Sequence, residues 1–276
     1  MVRVALTSDN HFDVNQLDSD AILKRQAAVL ADANIRYYII AGDTFNDFTK
    51  TLSYVDALQH ELGSQTEVYF LAGNHDMAAG VTYDELETRI NAHYLHNQFI
   101  DIPNTNWRII GNNGWYDYTF ASQLFDQRSV DDFAQWKRAY WFDGVIKQPM
   151  TDPEREDVVL QQTANQLLSA SVAHKRTLYV THFVPRAEYT RITDDNRFWN
   201  MANAMYGSRR LGEVLTKGHV TYAQFGHLHI KPAPRTLGHV TYFNQSVGYN
   251  THRLQEWIHQ DFMSEWQTRL KILNLQ

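Results

Sequence analysis

The sequence predicts an α/β domain whose strands form a largely parallel sheet. Short apolar runs typical of strands recur along the chain, at residues 2–6, 37–41, 68–72, 177–180 and 220–225. The segments between them carry apolar residues at helical spacing. Strands that alternate with helices form parallel sheets, and the ligand sites of such sheets lie at the carboxyl ends of the strands.

The helices can be predicted from apolar periodicity and capping residues. The first helix includes Ile22, Leu23, Ala27, Val29 and Leu30, with Asp18 or Ser19 as its N-cap. Further helices are predicted over residues 46–62, ended by Gly63, and over residues 83–95. Asp152-Pro153-Glu154 opens a helix that continues to about residue 174, and Ser208 caps one that runs to residue 215. In the tail, residues 254–266 suit a helix and residues 270–275 a closing strand.

An aromatic-rich stretch at residues 107–142 interrupts this alternation. Ile109-Ile110 and the turn at residues 111–114 predict a strand and a turn, and residues 130–140 predict a helix. No low-complexity linker flanks the stretch, so we expect a single domain over residues 1–276 with an aromatic insertion at about residues 102–150. Trp115 and Tyr116 are candidates for stacking against a base, a sugar or an aryl leaving group. The alternative is that they form the packed core of the insertion.

Composition excludes several classes of function. The formal charge of −6 over 276 residues argues against a basic surface for stable nucleic-acid binding. A nucleotide substrate stays possible, because bound divalent cations would reverse the charge locally. The absence of cysteine excludes disulfides and thiolate ligands. No secretory leader is visible and no apolar run approaches the ~18–20 residues that span a bilayer, so we expect a cytoplasmic protein without a membrane partner.

Acidic and histidine residues follow each of the five apolar runs. The clusters are Asp9-Asn10-His11, Gly42-Asp43, Gly73-Asn74-His75-Asp76, Thr181-His182 and Gly226-His227-Leu228-His229. Anionic oxygens and neutral imidazoles are ligands for divalent ions, and one carboxylate could bridge two of them. Two ions ~3.5–4 Å apart can clamp a phosphoryl group and generate a hydroxide near neutral pH. Taken singly, Asp9 or Asp43 could be a helix cap or turn residue, and His182 a hydrogen-bonded histidine beside a core strand.

The five clusters resemble the signature of the calcineurin-like metallophosphoesterase superfamily: D-x-H, G-D, G-N-H-[DE], a histidine after a strand, and G-H-x-H. They occur in the family's order and span residues 9–229. The resemblance implies a two-sheet β-sandwich core flanked by helices, a four-layer α/β/β/α fold, and two divalent ions of manganese, iron or zinc. It also implies which residues bind the ions: Asp9, His11 and His229 bind one ion, Asn74, His182 and His227 bind the other, and Asp43 bridges the two.

The resemblance further implies that His75 contacts the phosphate and protonates the leaving oxygen, and that Asp76 orients His75. Many members of the family carry an acid and an arginine after the G-D pair, whereas this chain has Thr44-Phe45-Asn46-Asp47. We expect Asp47 to have a local structural role. The sequence leaves open which residues contact the substrate phosphate. Arg186, four residues after His182, is a candidate because a guanidinium group suits phosphate recognition. A solvated loop is the alternative.

These observations predict a dinuclear metal-dependent phosphoesterase that hydrolyses phosphate mono- or diesters with a metal-bound hydroxide. A small phosphate ester is the favoured substrate, because the insertion is modest and the acidic charge disfavours a nuclease. A nuclease and a protein phosphatase are alternatives on the same site. A metal-binding scaffold protein without turnover is an alternative of another class.

Overall fold

A computed structural model contains two sheets packed face to face, and it describes residues 1–125, 128–194 and 197–276. The strands are β1 (Val2–Thr7), β2 (Tyr37–Ala41), β3 (Glu67–Leu71), β4 (Gln98–Asp101), β5 (Trp107–Gly111), β6 (Arg176–Val180), β7 (Tyr222–Phe225), β8 (Arg235–Leu237), β9 (Val240–Asn244) and β10 (Lys271–Leu275). The helices are α1 (Ser19–Asp32), α2 (Phe48–Leu62), α3 (Tyr83–Leu86), α4 (Val130–Tyr140), α5 (Asp152–Val172), α6 (Arg197–Ala202), α7 (Arg209–Lys217) and α8 (Phe262–Arg269).

Both sheets are parallel except at their edges. One has the strand order β10-β1-β2-β3 and the other β4-β5-β6-β7-β9-β8. Strands β1, β2 and β3 run parallel, as do β5, β6, β7 and β9. The antiparallel strands β10, β4 and β8 each lie at a sheet edge. The carboxyl ends of the parallel strands therefore share one edge in each sheet, as predicted.

The core has three apolar layers. Side chains such as Val4, Ile39, Ile109 and Val180 pack between the sheets and are fully buried. The outer face of the smaller sheet packs against α1, α2 and α8, and the outer face of the larger sheet against α5 and α7. Each fully buried aliphatic side chain contributes ~1.5–3 kcal/mol by leaving water. This arrangement is the four-layer α/β/β/α fold that the resemblance implied.

Side-chain caps fix where the helices begin. Asp18, Asp47, Thr151 and Ser208 accept hydrogen bonds from N–H groups in the first turns of α1, α2, α5 and α7. A cap of this kind stabilises a helix by ~1 kcal/mol. Helix α2 begins two residues later than predicted because Asp47 is its cap, which is a local structural role of the kind expected for this residue.

Two of the predicted helices are wrong in extent. The helix predicted over residues 83–95 ends at Leu86. The side chain of Asn91 accepts from the N–H groups of His93 and Tyr94, so the chain turns and pairs with Phe70 of β3 instead. The helix predicted over residues 254–266 begins only at Phe262. The residues before it form a loop without helical hydrogen bonds.

Part of the predicted insertion belongs to the core. Strand β5 lies between β4 and β6 in the larger sheet. The aromatic insertion that leaves the sheet therefore spans residues 112–150 rather than 102–150. Helix α4 within it has the predicted bounds. Among residues 1–125, 128–194 and 197–276, no helix combines the length and apolar content that crossing a membrane requires.

Candidate metal centre

One group of candidate ligands joins the end of β1 to the loop after β7. Nε2 of His229 lies 3.2 Å from Oδ1 of Asp9 and 3.3 Å from Nε2 of His11. The three side chains offer ligand atoms within 4.8 Å of one another, which a single metal ion could bind together. Asp9 and His11 are fully buried, whereas His229 reaches the surface.

A second group joins the ends of β2, β3, β6 and β7. Asp43, His182 and His227 offer ligand atoms within 4.8 Å of one another. Nε2 of His182 lies 3.3 Å from Oδ2 of Asp43 and 3.1 Å from Oδ1 of Asn74. The structure thus brings together all seven residues that the sequence predicted as ligands.

Asp43 lies between the two groups. Its Oδ2 atom is 3.7 Å from Nε2 of His11 and 3.3 Å from Nε2 of His182. Its other oxygen, Oδ1, accepts a hydrogen bond of 2.8 Å from the backbone N–H of His75. One carboxylate oxygen therefore faces ligands of both groups, as a bridging ligand must.

The backbone is turned sharply at four of the ligands. Asp9, His11, Asp43 and His227 have φ values of 57°, 46°, 56° and 65°. This left-handed conformation costs a residue with a side chain roughly 1–2 kcal/mol, and strain of this kind is concentrated at functional sites. The turns direct the side chains of successive strand ends toward one point.

Two glycines allow the loops to approach one another closely. A Cβ atom on Gly73 would lie 2.1 Å from Oδ1 of Asp43 and 2.6 Å from Cε1 of His182. A Cβ atom on Gly226 would lie 2.6 Å from Oδ2 of Asp9. A side chain at either position would displace a ligand, so the G-N-H-D and G-H-x-H glycines are steric requirements of this site.

Two histidine ligands are oriented by backbone carbonyls. Nδ1 of His182 lies 2.9 Å from the carbonyl oxygen of Ala41, which directs its Nε2 to Asp43. Nε2 of His227 lies 3.2 Å from the carbonyl oxygen of Met205 and leaves Nδ1 as the ligand atom. Hydrogen bonds of this kind fix the tautomer of an imidazole that binds metal.

Two supporting carboxylates were not predicted from the sequence. Oε2 of Glu256 lies 2.8 Å from Nδ1 of His229, and the Nδ2 group of Asn74 donates a 2.7 Å hydrogen bond to Oδ1 of Asp143. Asp143 is in the aromatic insertion and is fully buried. It holds the amide of Asn74 so that the carbonyl oxygen faces His182.

Charge in the centre favours bound cations. Burial opposes the ionisation of Asp43, but His182 and His75 outweigh it and hold its pKa well below the ordinary value. Burial also opposes the charged form of His182, yet Asp43 and Asp9 outweigh it and raise its pKa to about 9. The pKa of His227, where burial dominates, falls to about 3. Buried carboxylates with imidazole and amide ligands suit manganese, iron or zinc, so the residues fit the implied ions.

His75 lies at the edge of the centre with both ring nitrogens hydrogen-bonded. Nδ1 is 2.7 Å from Oδ1 of Asn46, and Nε2 is 3.0 Å from the hydroxyl of Tyr249. The ring is stacked on Phe142 at 4.0 Å and meets the ring of His11 edge-on at 4.7 Å. One of its ring nitrogens comes within 4.8 Å of ligand atoms of His11 and Asp43, so these three residues could also hold an ion together. The non-ligand role that the resemblance implies for His75 therefore stays a prediction.

The implied role of Asp76 is wrong in this structure. Its carboxylate accepts hydrogen bonds from the backbone N–H groups of Asp43, Thr44, Phe45 and Gly73 and from the hydroxyl of Thr51. These donors occupy both oxygens, and the partner of the His75 ring is Asn46 instead. Asp76 therefore holds together the loops after β2 and β3.

Trp115 and Tyr116 are part of the packed core rather than of a substrate site. Both side chains are fully buried, and their rings are stacked on one another at 4.6 Å. Nε1 of Trp115 donates a 2.9 Å hydrogen bond to Asp152, whose carboxylate also binds Lys137. A ring without exposed surface cannot stack on a ligand, so the predicted substrate contact is wrong and the packed-core alternative is correct.

Arg186 forms an ion pair with a neighbouring acid. Its guanidinium group is paired with Glu188, with Nε 3.1 Å from Oε2, and its Cζ lies 5.9 Å from the centre of the Tyr242 ring. The neighbouring carboxylate neutralises its charge. The contact of Arg186 with substrate phosphate stays a prediction, and in this conformation the guanidinium group is paired with Glu188 instead.

Comparison with known proteins agrees with the geometry. The family model described as calcineurin-like phosphoesterase matches residues 2–231. The fold is similar to the crystal structure of phosphopantetheinyl hydrolase from Mycobacterium tuberculosis, with a TM-score of 0.64, 17% identity, and coverage of 98% of this chain and 95% of that one. It is also similar to the protein TT1561 of Thermus thermophilus, with a TM-score of 0.50, 10% identity, and coverage of 100% and 99%. No curated protein matches the sequence. The chain belongs to the calcineurin-like phosphoesterase family.

Proposed function

We propose that this protein is a dinuclear metal-dependent phosphoesterase that hydrolyses small phosphate mono- or diesters. The observation that carries the proposal is the position of Asp43, whose Oδ2 atom faces His11 of one ligand group and His182 of the other. Manganese, iron or zinc ions bound by the two groups would polarise the phosphoryl oxygens and lower the pKa of a water molecule that attacks phosphorus.

Each ion would have its own set of protein ligands. Asp9, His11 and His229 would hold one ion, and Asn74, His182 and His227 would hold the other. Asp43 would contribute to both sites. The set is complete, which argues against a scaffold protein that binds metal without turnover.

His75 is the residue that gives a proton to the leaving oxygen. Asn46 accepts a hydrogen bond from its Nδ1 and fixes the plane of the ring, and stacking on Phe142 holds the ring from one side. In the imidazolium form Nε2 carries the transferable proton and donates it to the hydroxyl oxygen of Tyr249; once the proton has passed to the leaving oxygen, the neutral ring keeps its Nδ1 proton on Asn46. The ring is partly exposed, so that a leaving alkoxide can reach it.

The narrow opening around the proposed metal centre favours a small substrate. Asp9, Asp43 and His182 are buried, and only the edges of His75, His227 and His229 reach the surface. A phosphoryl group on a small ester can enter such an opening. The formal charge of −6 disfavours a long polyanion such as nucleic acid.

The test is hydrolysis by the purified, manganese-loaded protein of 4-nitrophenyl phosphate, bis(4-nitrophenyl) phosphate and a cyclic nucleotide. His75→Ala should retain both ions and lose at least about 100-fold in kcat for the cyclic nucleotide, whose alkoxide leaving group needs a proton, since acid catalysis typically contributes ~10²–10⁴-fold. Asp43→Asn should lose both metal and activity. His60→Ala, a histidine on α2 away from the centre, is the matched control. No turnover of any ester would favour the scaffold alternative, and a wild-type rate of cyclic nucleotide hydrolysis in His75→Ala would remove that residue from the mechanism.

A further inference from the structure

A row of partly exposed aromatic rings leads away from the metal centre. Ring centroids are separated by 5.7 Å from His227 to Tyr206, 5.9 Å from Tyr206 to Trp141, 6.0 Å from Trp141 to Trp136, and 5.1 Å from Trp136 to Phe198. The three middle rings are each partly exposed, and Phe198 is 45% exposed. A chain of ring contacts therefore runs from His227, a candidate metal ligand, to Phe198.

The row ends in a groove between α4 and α6. This cavity has a volume of about 510 Å³ and is lined by Trp136, Tyr140 and Phe198, with the exposed Arg128 and Arg197 at its rim. Its volume is in the range of pockets that hold small ligands. The groove thus offers flat apolar faces together with two guanidinium groups.

The acidic side chain that lines this groove is already hydrogen-bonded within the protein. Asp132 also lines the cavity, but its Oδ2 atom accepts hydrogen bonds of 2.8 Å and 3.0 Å from the backbone N–H and hydroxyl of Ser129. This carboxylate serves the N-terminal cap of α4. Asp132 keeps its negative charge, but Arg128 and Arg197 outnumber it among the lining residues, so the local charge is positive.

Packing accounts for only some of these rings: Trp136, Trp141 and Tyr206 contact the core, whereas Tyr140 and Phe198 are exposed. Phe133 of helix α4 is fully buried beside the fully buried Tyr118, and these two rings belong to the core of the aromatic insertion. At the end of the same helix Tyr140 is 67% exposed, and Phe198 opposite it is 45% exposed. Exposed aromatic rings that line one groove together with two arginines are typical of a binding surface rather than of scattered surface apolar residues.

We propose that this groove binds the part of the substrate that is remote from the scissile phosphate, namely an aryl or heteroaryl group that carries its own phosphate. Aromatic faces stack on planar rings, and guanidinium groups pair with phosphate oxygens. A nucleoside phosphate combines both features. The proposal rests on the proposed function, because the row begins at His227 and extends the same site.

The experiment compares a long and a short ligand on the manganese-loaded full chain. The inhibition constants of diadenosine tetraphosphate and of inorganic phosphate are measured against hydrolysis of 4-nitrophenyl phosphate. In the wild type, diadenosine tetraphosphate should bind more tightly than inorganic phosphate. Phe198→Leu should weaken the long ligand about tenfold relative to inorganic phosphate, as expected for loss of one stacking partner. Phe198→Trp should restore the ratio, and Arg197→Gln should reduce both the ratio and its dependence on salt.

Phe99→Leu is the matched control. Phe99 is 44% exposed, close to the 45% of Phe198, but it lies on the edge strand β4 and packs against Arg108. The ratio should not change in this variant. An unchanged ratio in Phe198→Leu, an equal loss in Phe99→Leu, or no advantage for diadenosine tetraphosphate in the wild type would overturn the groove proposal alone. Absence of 4-nitrophenyl phosphate hydrolysis would overturn the proposed function as well.

Discussion

The hydroxyl oxygen of Tyr249 lies 3.0 Å from Nε2 of His75. The tyrosine ring also packs against His11 and His229, with ring centroids 4.5 Å and 4.7 Å apart. Its backbone N–H donates a 2.7 Å hydrogen bond to Glu256, the carboxylate that orients His229. Tyr249 therefore links the proposed proton donor to the ligands of one ion and acts as a positioning residue.

Tyr249→Phe should lower kcat about tenfold for phenyl phosphate and much less for 4-nitrophenyl phosphate. The reason is that 4-nitrophenolate leaves without a proton, whereas phenolate needs the proton that His75 provides. The measurement is kcat and KM for both esters, with metal content determined in parallel. Tyr222→Phe, on β7 and stacked on Trp107, is the control. Equal losses for both esters, or loss of metal, would indicate a merely structural role.

Removing metal should destabilise the fold. Asp9 and Asp43 are buried, and their charges are compensated in the proposed holoprotein by two divalent ions. An ion present at ~100 times its Kd stabilises the folded state by ~2.7 kcal/mol. For a chain of this size, that corresponds to a fall in Tm of roughly 5 °C on removal of one such ion. Scanning calorimetry with and without a chelator, followed by manganese addition, tests this; a Tm that does not respond to either treatment contradicts it.

A buried acid outside the centre makes stability depend on pH. Glu156 on α5 is fully buried, and burial together with Asp117 raises its pKa well above the ordinary value of 4.5. The folded protein therefore keeps a proton that the unfolded chain releases above about pH 4.5. Stability is lost as pH rises from there toward the raised pKa, by up to ~1.4 kcal/mol per pH unit.

Glu156→Gln should remove this dependence. The variant should melt at a higher temperature than the wild type at pH 7.5, and the difference should shrink toward zero near the ordinary pKa of 4.5. Glu213→Gln, an acid on α7, provides the comparison. Thermal melts of the three proteins across this range decide the matter. A difference that is constant with pH would show that Glu156 does not carry a shifted proton.

The ligands could be predicted because each follows its strand directly. Asp9, Asp43 and His227 lie within two residues of a strand end, and parallel pairing brings those ends to one edge without long-range information. The same rule does not reach Tyr249, which lies five residues beyond Asn244, the end of the parallel strand β9. Its neighbour Gly248 has a φ of 85°, which marks a sharp turn in the loop after that strand.

Residues that reach the centre from irregular segments could not be predicted. Glu256 lies in a loop whose apolar spacing resembles that of a helix, so its orientation depends on tertiary contacts such as that with His229. Trp115 follows a strand-end turn as a ligand would, but a distant carboxylate, Asp152, binds its indole and fixes it in the core. The sequence around Glu256 or Trp115 does not contain the hydrogen-bond partner that fixes the orientation of the side chain.

Asp143 and Glu256 should each support a different ion. Asp143→Leu removes the acceptor that orients Asn74, and Glu256→Leu removes the acceptor that orients His229. Loss of such a supporting hydrogen bond typically weakens metal binding ~10–100-fold. Each variant should therefore retain one tightly bound ion and lose the second on dialysis, as measured by mass spectrometry of the metal content. Asp143→Asn and Glu256→Gln keep an accepting oxygen and should retain both ions. Two tightly bound ions in both leucine variants would show that these carboxylates do not determine metal affinity.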